Sequence, residues 1–277
     1  MQAQEKIGEF NQKISNFPSI FIGHGSPLVA IEYDDWNDKI GNFIDGLDHP
    51  TSIIIMSAHW ETEDTIEITS SRYPKQLYDF DHDIYPDTLL QLTYPVNGDT
   101  ELATRVKELL SDKFSNINLN DERGLDHGSW IPMYVFYPNV DVNVIQISIP
   151  KSFSPKQIFE IGKRLSPLRD NGILLVGSGN IVNNTKEANF EKKYTETDEW
   201  AIKFDQWINQ KLRDLDFESL FDMTDKAPFS EKALKGLSHI MPLFFILGTF
   251  NNNDTITTLF DGFHYGNISM RSFALVS

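Results

Sequence analysis

A chain of 277 residues with 24 basic and 40 acidic side chains carries a formal charge of −16 and has no cysteine. The charge disfavours nucleic acid and anionic lipid as partners, and without thiols there can be no disulfide frame, thiolate metal site or cysteine nucleophile. Any metal must then be held by His, Asp or Glu.

The opening residues, MQAQEKIGEF, lack the basic start and apolar run of a signal peptide, which predicts a cytoplasmic protein. Residues 19–23, 52–58, 143–149 and 172–177 are short, rich in Ile and Val, and closed by Gly, Pro or Ser, as strands buried on both faces would be. Between them lie segments of helical spacing. Residues 99–114 open on Asp99 as a cap, and 154–168 open on Ser154 followed by Pro155. Within 190–221, Trp200, Phe204, Trp207, Ile208 and Leu212 fall on one stripe with charge opposite; this is an amphipathic helix packing on a sheet rather than an aromatic binding site. The apolar stretch IMPLFFILGTF is shorter than the roughly 20 residues that cross a bilayer, and NNND at 251–254 reads as a turn. No repeat, low-complexity tract or linker divides the chain. The alternation predicts a single α/β domain with a central, mostly parallel sheet flanked by helices.

Ligands of open α/β sheets gather beyond the carboxyl ends of the strands. His24 stands there between Gly23 and Gly25, and His59 closes the second apolar run. His127, beside Asp126 and Gly128, and His239, opening IMPLFFILG, also adjoin apolar runs and turn signals. Neutral imidazole binds Fe(II) or Zn(II), and a set of three leaves positions open for substrate. Spacing adds little, because there is no HExxH. His49, His82 and His264 lie in polar, turn-like text and are expected to be structural or on the surface. The glycine-flanked serines of GHGSP and VGSGN do not fit G-x-S-x-G; VGSGN is left as a glycine turn or an anion nest.

Taken together and in order, PSIFIGHGSPL, IIIMSAHWET, LYDF, GLDHGSWIPMYVFYP, LLVGSGNIVNN, HIMPLFFILG and YGNISMRSF resemble the class III extradiol ring-cleavage dioxygenases, the LigB-like superfamily, and within it the 4,5-DOPA dioxygenase type. The resemblance implies one catalytic α/β domain over 1–277, functional with Fe(II) although zinc can occupy the same site. It implies a catechol and O2 as partners, a monomer or small homo-oligomer, His24, His59 and His239 as the metal ligands, and His127 as the histidine facing the substrate. In two places the chain departs from the pattern. Asn183 stands where the family usually has a histidine, and Leu237 and Ser238 precede the last ligand in place of an acidic residue. An amide orients a phenol by hydrogen bonds but exchanges no proton near neutral pH. His127 is therefore expected to be the acid or base, oriented by Asp126, with Asn183 as a hydrogen-bonding partner of the substrate. The same residues also fit a zinc hydrolase with a nearby carboxylate such as Glu61 as base, or a non-catalytic binder of metal or phenol. Sequence assigns none of Arg72, Arg123 and Arg271 to a substrate carboxylate.

Overall fold

Successive side chains of a strand point to opposite faces, so a strand apolar at every position needs cover on both sides. The computed structural model, which describes residues 16–277, builds a sheet of this kind. The first ten residues, on which the absence of a leader was read, lie outside that span. Ten strands are formed: β1 (Ser19–Gly23), β2 (Ser52–Thr62), β3 (Ile66–Thr69), β4 (Ile117–Asn120), β5 (Asn143–Pro150), β6 (Ile173–Gly179), β7 (Thr255–Phe260), β8 (Phe263–His264), β9 (Ile268–Ser269) and β10 (Ser272–Val276). Eight of them make one sheet in the order β4-β3-β5-β2-β6-β1-β10-β7, and β8 pairs with β9 apart from it. The four pairings β3–β4, β5–β2, β2–β6 and β6–β1 are parallel, whereas β3–β5, β1–β10 and β10–β7 are antiparallel.

The helices are α1 (Asp35–Asp45), α2 (Asp87–Leu90), α3 (Thr100–Ser111), α4 (His127–Phe136), α5 (Pro155–Leu165), α6 (Glu199–Arg213), α7 (Phe217–Phe221), α8 (Met223–Lys226), α9 (Ser230–Ala233) and α10 (Met241–Gly248). They cover both faces of the sheet. Alternation along the central strands divides the core: Phe21, Ile54, Met56, Ile145 and Leu175 pack with helices α3, α5, α6 and α10. Their neighbours Ile22, Ile53, Ile55, Val144 and Val176 pack with α1 and α4. Burying each such side chain contributes about 1.5–3 kcal/mol.

The predicted caps form. Asp99 accepts from Leu102 N at 2.9 Å, and Gln157 accepts from Ser154 N at 2.9 Å. Trp200, Phe204, Ile208 and Leu212 are buried on α6 and Trp207 is partly so, although residues 190–198 lie outside the helix. In one respect the strand reading is corrected: β2 does not stop before His59 but runs on to Thr62. Its pairing with β6 ends at Ser57, and its pairing with β5 is interrupted between Met56 and Glu61. His59 sits in that freed stretch. No helix among the described residues is long and apolar enough to cross a membrane.

Candidate metal centre

Two loops and the outer end of β2 carry histidines to one point at the carboxyl side of the central strands. His24 follows β1, its backbone N–H bonded to Gly179 O at 3.0 Å, and the chain then turns through Gly25 at φ +62°, a left-handed conformation that favours glycine. His59 projects from the unpaired stretch of β2. His239 precedes α10, and its carbonyl accepts from Asn180 N at 2.8 Å. A Cβ on Gly179 would run into that same carbonyl, so only a glycine lets the segment carrying His239 lie directly on β6. VGSGN is thus neither a nucleophile elbow nor an anion nest: it is the seat for two histidines.

One ring nitrogen from each of His24, His59 and His239 lies within 4.8 Å of the other two. Nε2 of His24 faces Nε2 of His59 at 3.2 Å. Two nitrogens about 2.1 Å from a common ion and subtending 90–110° would be about 3.0–3.4 Å apart, so this spacing fits a shared cation. Tautomer also fits. Ser178 donates its only hydroxyl proton to Gly128 O at 2.5 Å, so at its 2.9 Å contact with His24 Nδ1 the imidazole must be the donor. The lone pair of His24 is then on Nε2, aimed at the other rings. Burial holds all three imidazoles neutral: it pushes His24 and His59 well below the usual histidine value, with neighbouring histidines adding to the effect, and lowers His239 to about 4. A cluster of neutral nitrogen donors suits a borderline divalent ion.

His127 opens α4 and lies against His59, ring centroids 3.9 Å apart. Its orienting partner differs from the expected one. Asp126 caps α4, accepting from Ser129 N at 3.1 Å, and is otherwise bonded to Ser57 Oγ at 2.7 Å and to the Gln146 amide. Fully buried, it has its carboxyl pushed up by desolvation and by the charge of Asp79. Asp79 holds His127 instead, accepting from its backbone N–H at 2.8 Å and meeting Nδ1 at 3.0 Å. Burial works against ionisation of Asp79, but the bonds from His127 outweigh it and the carboxyl falls below its ordinary value. An ionised carboxylate only accepts, so Nδ1 of His127 carries the proton and Nε2 is left as the acceptor. Nothing in the local sequence of LYDF marks Asp79 for this role.

His59, Asp79, His127 and His239 line a cleft of about 530 Å³. Phe80 packs edge-on to His127 at 5.6 Å and to Tyr85 at 5.1 Å, forming an aromatic wall. Asn183 lines the same cleft, with Ser26 and Thr185. Glu61 is exposed and does not line it, so of the carboxylates near the site only Asp79 and Asp81 face the cleft. Of the remaining histidines, His82 is exposed and His49 is bonded to Asp141 at 3.1 Å on the surface, whereas His264 is buried against Asp34 at 3.1 Å.

An α/β sheet that brings three imidazoles together beyond its strands has a site able to hold a metal ion, and residues 19–273 match the family described as the catalytic LigB subunit of aromatic ring-opening dioxygenase. The chain belongs to that family. It is 30% identical over 274 residues to a 4,5-DOPA dioxygenase extradiol of Portulaca grandiflora, covering 96% of this chain and 98% of that one. With a protein of the same name from Escherichia coli K12 it shares 31% identity over 264 residues, 93% and 94% of the two chains. The crystal structure of an uncharacterised Escherichia coli K12 protein superposes with a TM-score of 0.78 at 28% identity, covering 94% of this chain and all of that one.

Proposed function

We propose that this protein is an extradiol dioxygenase that opens the ring of a catechol with O2, using a metal ion held by His24, His59 and His239. The observation that carries the reading is the convergence of three neutral imidazoles, His24 with its lone pair fixed inward and His59 and His239 lining a cleft of a size suited to a small aromatic. When bound, Fe(II) supplies the positive charge that eases loss of the catechol protons and the redox chemistry that lets O2 react with the ring; Zn(II) supplies only the charge.

The protein's own groups would do the rest. His127 Nε2 accepts a proton from the substrate hydroxyl, and Asp79 stabilises the resulting imidazolium while holding the ring in place. Asn183 donates a hydrogen bond to the substrate without exchanging a proton. Phe80 and Tyr85 pack on the aromatic ring and keep water from the reacting face. The test is reconstitution of metal-free protein. Fe(II) protein should consume O2 with a catechol, and zinc protein should bind the catechol and leave it intact; ring opening by zinc protein rigorously freed of iron would refute the division of roles. Ester or amide hydrolysis under argon would instead favour a hydrolase.

A further inference from the structure

We propose that the cleft takes catechols whose ring substituent is cationic or uncharged and turns away those bearing a carboxylate, with Asp81 setting the preference. This rests on the reading of the cleft as a catechol site. A catechol held by its oxygens at the histidine end directs its substituent toward the open end, where the exposed lining residues Asp81, Ile84 and Phe190 stand. Among the described residues no Lys or Arg lines the cleft, whereas Asp79 and Asp81 both do. The two carboxylates are not equivalent. Asp79 is committed to His127 at 3.0 Å, but Asp81 accepts only from the backbone N–H of Asp83, at 3.0 Å, and makes no ion pair among the described residues.

The arginines left unplaced by sequence are engaged elsewhere. Arg271 is buried and forks onto Asp205 at 2.6 Å. Arg123 lies over the Trp60 ring at 5.3 Å and reaches Asp126 at 3.7 Å, and Arg72 lies over Tyr73 at 5.6 Å. Lys193 is held by Asp34 at 2.8 Å and Lys232 by Glu187 at 2.7 Å. A substrate carboxylate at the open end of this cleft would shed water, find no Lys or Arg in the lining, and face Asp81. A protonated amine would pair with Asp81 and lie beside the Phe80 and Tyr85 rings, which favour a cation, while its methylene chain covers Ile84.

The test compares 4-ethylcatechol, dopamine and 3-(3,4-dihydroxyphenyl)propionate, which share a ring and differ in the charge of a short chain. With iron-loaded protein at neutral pH and low salt, kcat/KM should be about threefold or more higher for dopamine than for ethylcatechol, and about tenfold or more higher than for the propionate. Added salt should shrink both ratios. Asp81→Asn should bring the dopamine-to-ethylcatechol ratio toward unity, and Asp81→Lys should reverse the order of amine and carboxylate; each ratio is internal to one variant, so a general loss of turnover does not obscure it. Equal or better use of the propionate by the unaltered protein, or ratios that Asp81→Lys does not move, would overturn the proposal. The same three catechols titrated calorimetrically into zinc-loaded protein separate the two ideas. The charge order in Kd without ring opening by iron protein would uphold the selectivity and remove the dioxygenase reading. Binding without that order would overturn the selectivity alone, and failure of all three to bind would overturn both.

Discussion

Replacing Ser178 with Ala removes one oxygen that holds two buried groups, the Gly128 carbonyl at 2.5 Å and His24 Nδ1 at 2.9 Å. Ser178 is itself fully buried, so water does not replace it. Leaving a buried donor or acceptor unpaired costs about 1–3 kcal/mol each, and the two together set an expected loss of about 2–6 kcal/mol in folding stability. His24 can relieve its part of that cost by moving its proton to Nε2, but this occupies the lone pair that faces His59. Metal affinity should therefore drop along with stability, by about 10–100-fold, as for other groups that orient a ligating imidazole. That corresponds to about 1.4–2.8 kcal/mol of binding free energy. The assays are chelator competition with Zn(II) for affinity and urea unfolding of the metal-free protein for stability. Wild-type metal affinity in a variant destabilised as expected would refute the claim that Ser178 sets the His24 tautomer.

Asp79→Asn should cut kcat by about 10²-fold or more, because an amide leaves the imidazolium of His127 without its countercharge, while His127→Ala should reduce turnover much more than Asn183→Ala; steady-state O2 uptake checks both, and equal small effects would place the proton relay elsewhere. Gly179→Ala should displace the segment carrying His239 from β6, lowering both metal content and stability, measured by metal analysis and thermal unfolding. Arg169, buried at 1% exposure, donates to Phe17 O at 2.6 Å and forks onto Asp254 at 2.7 and 2.8 Å, so Arg169→Ala should cost about 3–5 kcal/mol in urea unfolding by stranding the Asp254 charge. Burial opposes ionisation of Asp254, but the bonds from Arg169, Ser277 and the backbone of Asn251 together outweigh it and the carboxyl sits below its usual value. The unfolded chain then takes up this proton first, so the contribution is intact above about pH 4 and decays below it as pH falls through the folded value; Asp254→Asn should flatten that part of the stability curve.

The fold was readable where side chains of one strand are buried on both faces. The runs at 19–23, 52–58, 143–149 and 172–177 need no partner to declare themselves, because continuous Ile and Val have no amphipathic alternative. β3 and β4 were less legible: IEIT and INLN are four residues long and mixed in character, with Thr69 buried and Leu119 exposed, so their pairing is fixed by neighbours rather than by composition. The same contrast divides the site. His24, His59 and His239 adjoin apolar runs, and their meeting follows once those runs become central elements. Asp79 sits in the loop between β3 and α2, whose course is set by distant contacts such as Trp130 Nε1 to Leu77 O at 2.8 Å and Tyr78 OH to Leu92 O at 2.5 Å. No local pattern announces where such a carboxylate will land. Asp126, adjacent to His127 in sequence, was the natural candidate, but a helix cap points back at its own amides and so away from the next side chain.

X-ray absorption at the metal edge of protein loaded anaerobically with one equivalent of Fe(II), repeated with Zn(II), addresses the central claim without depending on any substrate. Three imidazole rings with nitrogens about 2.1 Å from the ion, reduced to two by alanine at position 24, 59 or 239, is the predicted result. A coordination shell of oxygen without imidazole scattering, or one that these substitutions leave unchanged, would contradict it.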